Sequence, residues 1–334
     1  MQNESLYKIA AQLVAPGKGI LAADQSTGTM NKQLEAIGVE PEAEMRRQYR
    51  QLLFTTNGIE KYVTGIILYD STIRNHTDDR TPFVDLLLSK GIIPIIKVDK
   101  GTTSLDGFPG EVVTEGLDGL KKRLDEYVAM GARVAKWRAV VNIGSGLPTA
   151  ECIKFNCLML ARYARLCQEA GLVPIVEPEV IFAGGHDLAR AEEVTTLTLR
   201  TLFAVLAQYK VDLKATILKT SMVLAGSDHS DQTSPEKVAE ATIRVLEETV
   251  SAKVPGVVFL SGGQPPERVT ENLNAIAKLE QTKDLSWELA FSFSRGIEQP
   301  VQQAWLGKAE NKEKAQQVLL ETLERNCQAD RGEL

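Results

Sequence analysis

The chain has 334 residues, 43% of them hydrophobic and 25% charged, which suits a globular protein able to bury a large core without disulfide or metal staples. A net charge of −6 argues against a nucleic-acid groove or a basic membrane-facing stripe as its working surface. No apolar run approaches bilayer length, and the N-terminal MQNESLYKIAAQL carries Glu4 and lacks a signal-peptide centre, so a cytoplasmic protein is expected.

Eight short apolar runs follow one another, most ending in charged or hydrogen-bonding residues. GILAAD ends at Asp24, VTGIILYD at Asp70, and IIPIIKVD carries Lys97 and Asp99. ARVAKWR brings Lys136 and Arg138, LVPIVEPE brings Glu177 and Glu179, and KATILK closes on Lys219. GVVFLSGG ends in Ser261, Gly262 and Gly263, and ELAFSFSR carries Ser292 and Arg295.

Between the runs lie segments with apolar residues at every third or fourth position, among them RRQYRQLL, CLMLARYARLCQEAG and SPEKVAEATIRVLEETV. Ser234 followed by Pro235 reads as a helix start, and Gly91, Gly131 and Gly171 as helix stops. No linker or low-complexity block interrupts the alternation. It predicts an α/β fold, a single (β/α)8 TIM barrel over residues 1–334, with a short N-terminal extension and a C-terminal helix and tail. An open dinucleotide-binding sheet would need GxGxxG after the first strand, where AADQSTGT stands instead.

The four cysteines, Cys152, Cys157, Cys167 and Cys327, form no CxxC pair and read as free core thiols of a reducing compartment. His76, His186 and His229 are scattered, which gives little support to a zinc site.

Side chains two apart on a strand share a face. Lys97 with Asp99, Lys136 with Arg138, and Glu177 with Glu179 would therefore gather at the C-terminal mouth of a barrel, where barrel enzymes keep their active sites. The plain structural alternative is a set of solvated strand ends or buried ion pairs. Lys219 beside Lys136 would have a depressed amine pKa and could attack a carbonyl, or else it pairs with Glu177 or Glu179 and does no more. Local sequence leaves both readings open. Ser261-Gly262-Gly263 lets backbone amides approach an anion, and Arg295 nearby favours a phosphorylated ligand over a mere turn. Ser26 and Thr29 in DQSTGT, with Lys97, form a weaker second anion site, since such clusters are usually turns.

Over nearly its whole length the chain resembles class I fructose-1,6-bisphosphate aldolases, through GKGILAADQSTGT, IKVDKG, GLDGL, AKWR, ARYA, VPIVEPE, HDL, LSGGQ, NLNAI and FSFSR in the family's order. The resemblance implies a metal-independent lyase with no cofactor and a phosphosugar substrate, assembled as a homotetramer. It implies Lys219 as Schiff-base amine, Glu177 as acid/base, Asp24 as the group that takes the C4 hydroxyl proton, and Lys136 and Glu179 as support. Ser261, Gly262, Gly263, Arg295 and Ser292 would take the C1 phosphate, Ser26, Thr29 and Lys97 the C6 phosphate, and Arg138 would position the substrate.

The chain departs from the family pattern in four places. Gln25 replaces a carboxylate, Gln33 replaces an arginine, Thr220-Ser221 follows the nucleophile in place of Pro-Asn, and NCQADRGEL stands where a tail with a terminal tyrosine is usual. A weaker anion site is expected, and either another group or water protonates the enamine or that step is slow. Two other readings remain: a Schiff-base aldolase for sedoheptulose 1,7-bisphosphate or fructose 1-phosphate, and a non-catalytic scaffold of the same fold.

Overall fold

Each of the eight apolar runs forms a buried strand. The computed structural model describes residues 2–334, so Met1, the first residue of the expected domain, lies outside the described residues. The strands are β1 (Gly19–Ala23), β2 (Val63–Leu68), β3 (Ile93–Lys97), β4 (Val134–Val141), β5 (Val173–Val180), β6 (Ile217–Thr220), β7 (Gly256–Phe259) and β8 (Glu288–Phe293). They pair in parallel and in chain order, and β8 returns to β1 to close the barrel.

A closed parallel sheet is covered on both faces, which is why its strands read as near-continuous apolar runs. Inside the barrel Ile20, Ala22, Ile67, Ile95, Val134, Ile175, Ile217, Val258 and Ala290 form one cluster. Leu6, Ala10, Leu13 and Val14 join it, so the N-terminal extension is a helix, Gln2–Leu13, packed onto that cluster with its apolar face. A larger cluster fills the layer between strands and outer helices, where Trp137 packs on Tyr163 at 5.5 Å between ring centres. All four cysteines are buried and free.

The periodic segments become the helices Ala43–Thr55, Phe83–Ser89, Leu120–Ala129, Ala150–Glu169, Leu188–Gln208, Pro235–Thr249, Pro266–Glu280 and Lys312–Asp330. Ser234 caps its helix by accepting from the Lys237 N–H, and Gly91, Gly131 and Gly171 take positive φ after theirs. Three further α-helices among the described residues lie outside the periodic segments: Thr27–Ala36, the four-residue Asp70–Ile73, and Arg295–Trp305, which contains Gly296 and Pro300. DQSTGT is thus not a simple turn: Ser26 caps Thr27–Ala36, its Oγ accepting from the Thr29 N–H at 3.3 Å. A small hairpin, Thr102–Ser104 with Val112–Thr114, also stands outside the barrel pattern.

Near the start of β8 two acids, Glu280 and Asp330, are close enough for the charge of one to act on the other. Burial lifts the Glu280 carboxyl to about 7, the Leu289 N–H opposing and Glu288 adding to the rise. Burial and the charge of Glu280 also raise Asp330 well above its ordinary range. The folded chain therefore holds a proton that the unfolded chain releases, so this contribution to stability is present at acid pH and is lost as pH rises through about 7. Melting temperatures across that range should fall less steeply in Glu280→Gln than in the parent chain. Parallel curves would contradict this.

Candidate active site

Strand register brings the charges together. Lys97 stands opposite Lys136, Arg138 opposite Glu177, and Val140 opposite Glu179. A cleft of about 580 Å³ opens at the C-terminal ends of the strands, and every sequence-predicted site residue lines it. These are Asp24, Ser26, Thr29, Lys97, Lys136, Arg138, Glu177, Glu179, Lys219, Ser261, Gly262, Gly263, Ser292 and Arg295. A second cavity of about 530 Å³ lies on the outside, between the helices Pro235–Thr249 and Pro266–Glu280, and is lined by none of them.

At the floor, Lys136 Nζ sits 3.1 Å from Asp24 Oδ2 and 2.8 Å from Glu177 Oε2. Lys219 Nζ lies 3.6 Å from the other Glu177 oxygen. All four side chains are buried, Lys219 at 2% exposure, so Coulomb terms weigh more here than at a surface. Burial pushes Lys136 down, but Asp24 and Glu177 outweigh it and hold this ammonium well above the ordinary lysine value. Burial also pushes Lys219 down; Glu177 pulls it up, Lys136 pushes it down again, and it ends below the ordinary value. Burial would raise Asp24 and Glu177, yet Lys136 and Lys219 keep both below the usual carboxylate range. Two neighbouring lysines are thereby driven apart, one locked as a cation and one poised toward the free amine, the arrangement that divides acid and base roles within one site.

The remaining pairs form the rim. Lys97 pairs with Asp99, whose Oδ2 also accepts the Arg138 N–H at 3.2 Å. Arg138 pairs with Glu179 while staying 37% exposed, so it can still meet a ligand. On the β7–β8 side Gly262 and Gly263 have φ of +56° and +89°, a region open chiefly to glycine. A Cβ on Gly263 would lie 3.6 Å from an Arg295 guanidinium nitrogen, which places the cation against the exposed backbone amides. The Ser292 hydroxyl is buried with no hydrogen-bond partner among the described residues.

Comparison with known proteins identifies the lineage. The family described as fructose-bisphosphate aldolase class-I matches residues 5–334. The chain belongs to the class I fructose-bisphosphate aldolase family. A probable class 1 fructose-bisphosphate aldolase of Xanthomonas axonopodis pv. citri is 50% identical over 333 residues, covering 99% of both chains. A cytosolic fructose-bisphosphate aldolase of Arabidopsis thaliana is 48% identical over 98% of this chain and 91% of its own length. An aldolase of Plasmodium falciparum, crystallised with TRAP and a small-molecule inhibitor, superposes with a TM-score of 0.97 at 42% identity, over 99% of this chain and 95% of that one. The reaction is that of a lyase, cleavage of fructose 1,6-bisphosphate through a Schiff base, as is general for class I aldolases.

Asp70, a charged strand end without an assigned task, is absent from the aldolase cleft. It accepts from Tyr127 Oη at 2.8 Å and pairs with Arg74 at 2.9 Å, a structural tie. Its neighbour Tyr69 faces the cleft instead, its ring 5.9 Å from Lys97 Nζ. Face alternation along VTGIILYD puts Tyr69 on the side of Ile67, which faces the barrel interior, and Asp70 on the other. Lys100 also lines the cleft, and it lies in a loop where alternation gives no guide. At the Thr220-Ser221 departure both residues are buried: the Ser221 hydroxyl donates to Val180 O at 2.8 Å, tying the residue after β6 to the end of β5, while the Thr220 hydroxyl has no hydrogen-bond partner among the described residues.

The lowering of Lys219 has a kinetic consequence. Its free-amine fraction below the ordinary lysine range exceeds that of an unperturbed lysine, so trapping of an imine on it should begin to fall at a lower pH than an unperturbed amine requires. A trapping rate that already drops about tenfold per pH unit just below about pH 10, as an unperturbed lysine requires, would contradict this lowering.

Proposed function

We propose that Lys219 is the amine that attacks the C2 ketone, with Glu177 moving the protons that turn the carbinolamine and its hydroxyl into iminium and water. Asp24 then takes the C4 hydroxyl proton; the C3–C4 bond breaks, its electrons flow into the iminium, and glyceraldehyde 3-phosphate leaves. Protonation at C3 and hydrolysis of the imine release dihydroxyacetone phosphate and restore Lys219. Lys136 holds Asp24 and Glu177 ionised, and Glu179 holds Arg138, which orients the sugar. Ser261, Gly262, Gly263, Ser292 and Arg295 take the C1 phosphate. Ser26, Thr29 and Lys97 take the C6 phosphate. No metal or cofactor enters these steps.

The observation that carries this reading is the buried Lys219 beside Glu177, in a cleft with cations and amides at both ends. We place the enzyme in the cytoplasm as a homotetramer acting in glycolysis and gluconeogenesis, following the family and its cytosolic relatives. Triose release from fructose 1,6-bisphosphate should continue in excess chelator, with kcat/KM above that for fructose 1-phosphate or sedoheptulose 1,7-bisphosphate. Activity lost to chelator and restored by zinc would overturn the mechanism, and binding without triose release would favour a scaffold.

A further inference from the structure

Gln25, beside Asp24, spends every polar atom of its side chain on one network that runs from the cleft wall to buried Arg50 and Glu298. Its Nε2 donates to Ser294 Oγ at 2.6 Å and to Glu298 Oε1 at 2.7 Å, and its Oε1 accepts from Arg50 Nη2. Arg50 completes the ring by pairing with Glu298 Oε2 at 3.0 Å, the two side chains being 4% and 1% exposed. Tyr49 adds a contact from its hydroxyl to the Glu298 carbonyl at 3.4 Å. One helical turn onward, Gln302 Nε2 donates to Gln33 Oε1 at 3.1 Å. Both glutamines on the first-loop side therefore meet the same face of the helix Arg295–Trp305, at positions four apart.

Chemistry selects an amide at position 25. The site offers one carboxylate oxygen and one hydroxyl on one side, and a guanidinium on the other. Only a group that donates and accepts at once satisfies both. A carboxylate there would face the Glu298 carboxylate at hydrogen-bond distance, two like charges sharing one arginine in a buried site. The negative charge that Gln25 lacks is thus supplied to Arg50 from across the barrel seam by Glu298.

We infer that Gln25 is a positioning residue that, through Glu298, Ser294 and Arg50, ties the end of β1 to the start of the helix bearing Arg295, so that Asp24 and Arg295 are held at a fixed separation over one substrate. This rests on the roles proposed above for those two residues. Ser26 follows Gln25 directly, and Ser294 precedes Arg295, so one bridge links the two phosphate ends of the cleft. It acts on turnover without touching the reacting atoms.

The test is a charge exchange across the bridge, in the full chain. Gln25→Glu and Glu298→Gln should each lower kcat/KM for fructose 1,6-bisphosphate roughly 10- to 100-fold, as small misplacements of reacting groups do. Borohydride should still trap as much imine at saturating substrate as in the parent chain, since Lys219 is not part of the bridge. The exchanged pair, Gln25→Glu with Glu298→Gln, keeps one amide, one carboxylate and Arg50, and should recover to within about threefold of the parent. Should Glu298→Gln fail to fold alone, the exchanged pair still decides, because it folds and turns over only if the two positions compensate. Additive losses in the pair, or single variants that lose melting temperature but keep kcat/KM, would overturn the inference. Absence of any trapped imine in the parent chain would instead overturn the function reading on which it rests.

Discussion

Lys219→Met is expected to lose roughly 10⁴- to 10⁶-fold in kcat, the scale on which removing a covalent nucleophile acts. The same substitution should leave melting temperature unchanged or raise it. A buried amine beside another cation costs desolvation that Glu177 offsets only in part, as its lowered pKa shows, and methionine fills a similar volume without that cost. Steady-state turnover and thermal unfolding on the same sample check both halves. A variant that is inactive because it is unfolded would count against the assignment of Lys219 as chemically, rather than structurally, required.

Lys136→Met should behave in the opposite way on stability. Lys136 is the cation shared by Asp24 and Glu177, so its removal leaves two buried carboxylates with Lys219 as the nearest compensating charge. Breaking such a buried arrangement costs about 3–5 kcal/mol, and the variant should melt well below the parent. Turnover should fall roughly 10²- to 10⁴-fold, because Glu177 and Asp24, no longer held ionised, lose their proton-transfer roles. Lys219, relieved of the cationic neighbour that pushes it down, should shift upward in pKa, and trapping should then need more alkaline conditions. Equal melting temperatures for Lys136→Met and Lys219→Met would remove the distinction drawn between the two lysines.

The barrel was legible because apolar stretches, several of them opening after a glycine stop, run to polar ends, and a closed parallel sheet must be apolar on both faces. The same logic carried the site, since Lys136, Glu177 and Glu179 lie on regular strands where face alternation works. It failed where the backbone leaves the strand. Asp70 begins a short helix and turns to Tyr127 and Arg74, leaving Tyr69 in the cleft. Ser26 reads as a turn residue yet caps a helix, and Arg295 opens a helix that Gly296 and Pro300 disguise. The meaning of Gln25 was out of reach for another reason. Its partners lie 25, 269 and 273 residues away, and nothing in local spacing announces a hydrogen-bond ring closed across the barrel seam.

The most direct measurement is borohydride reduction of the parent chain in the presence of fructose 1,6-bisphosphate, followed by peptide mapping, with and without chelator. The account predicts one covalent triose or hexose phosphate adduct, on Lys219 and on no other lysine, in equal yield under both conditions. An adduct on Lys136 or Lys97, or no adduct while turnover proceeds, would contradict it.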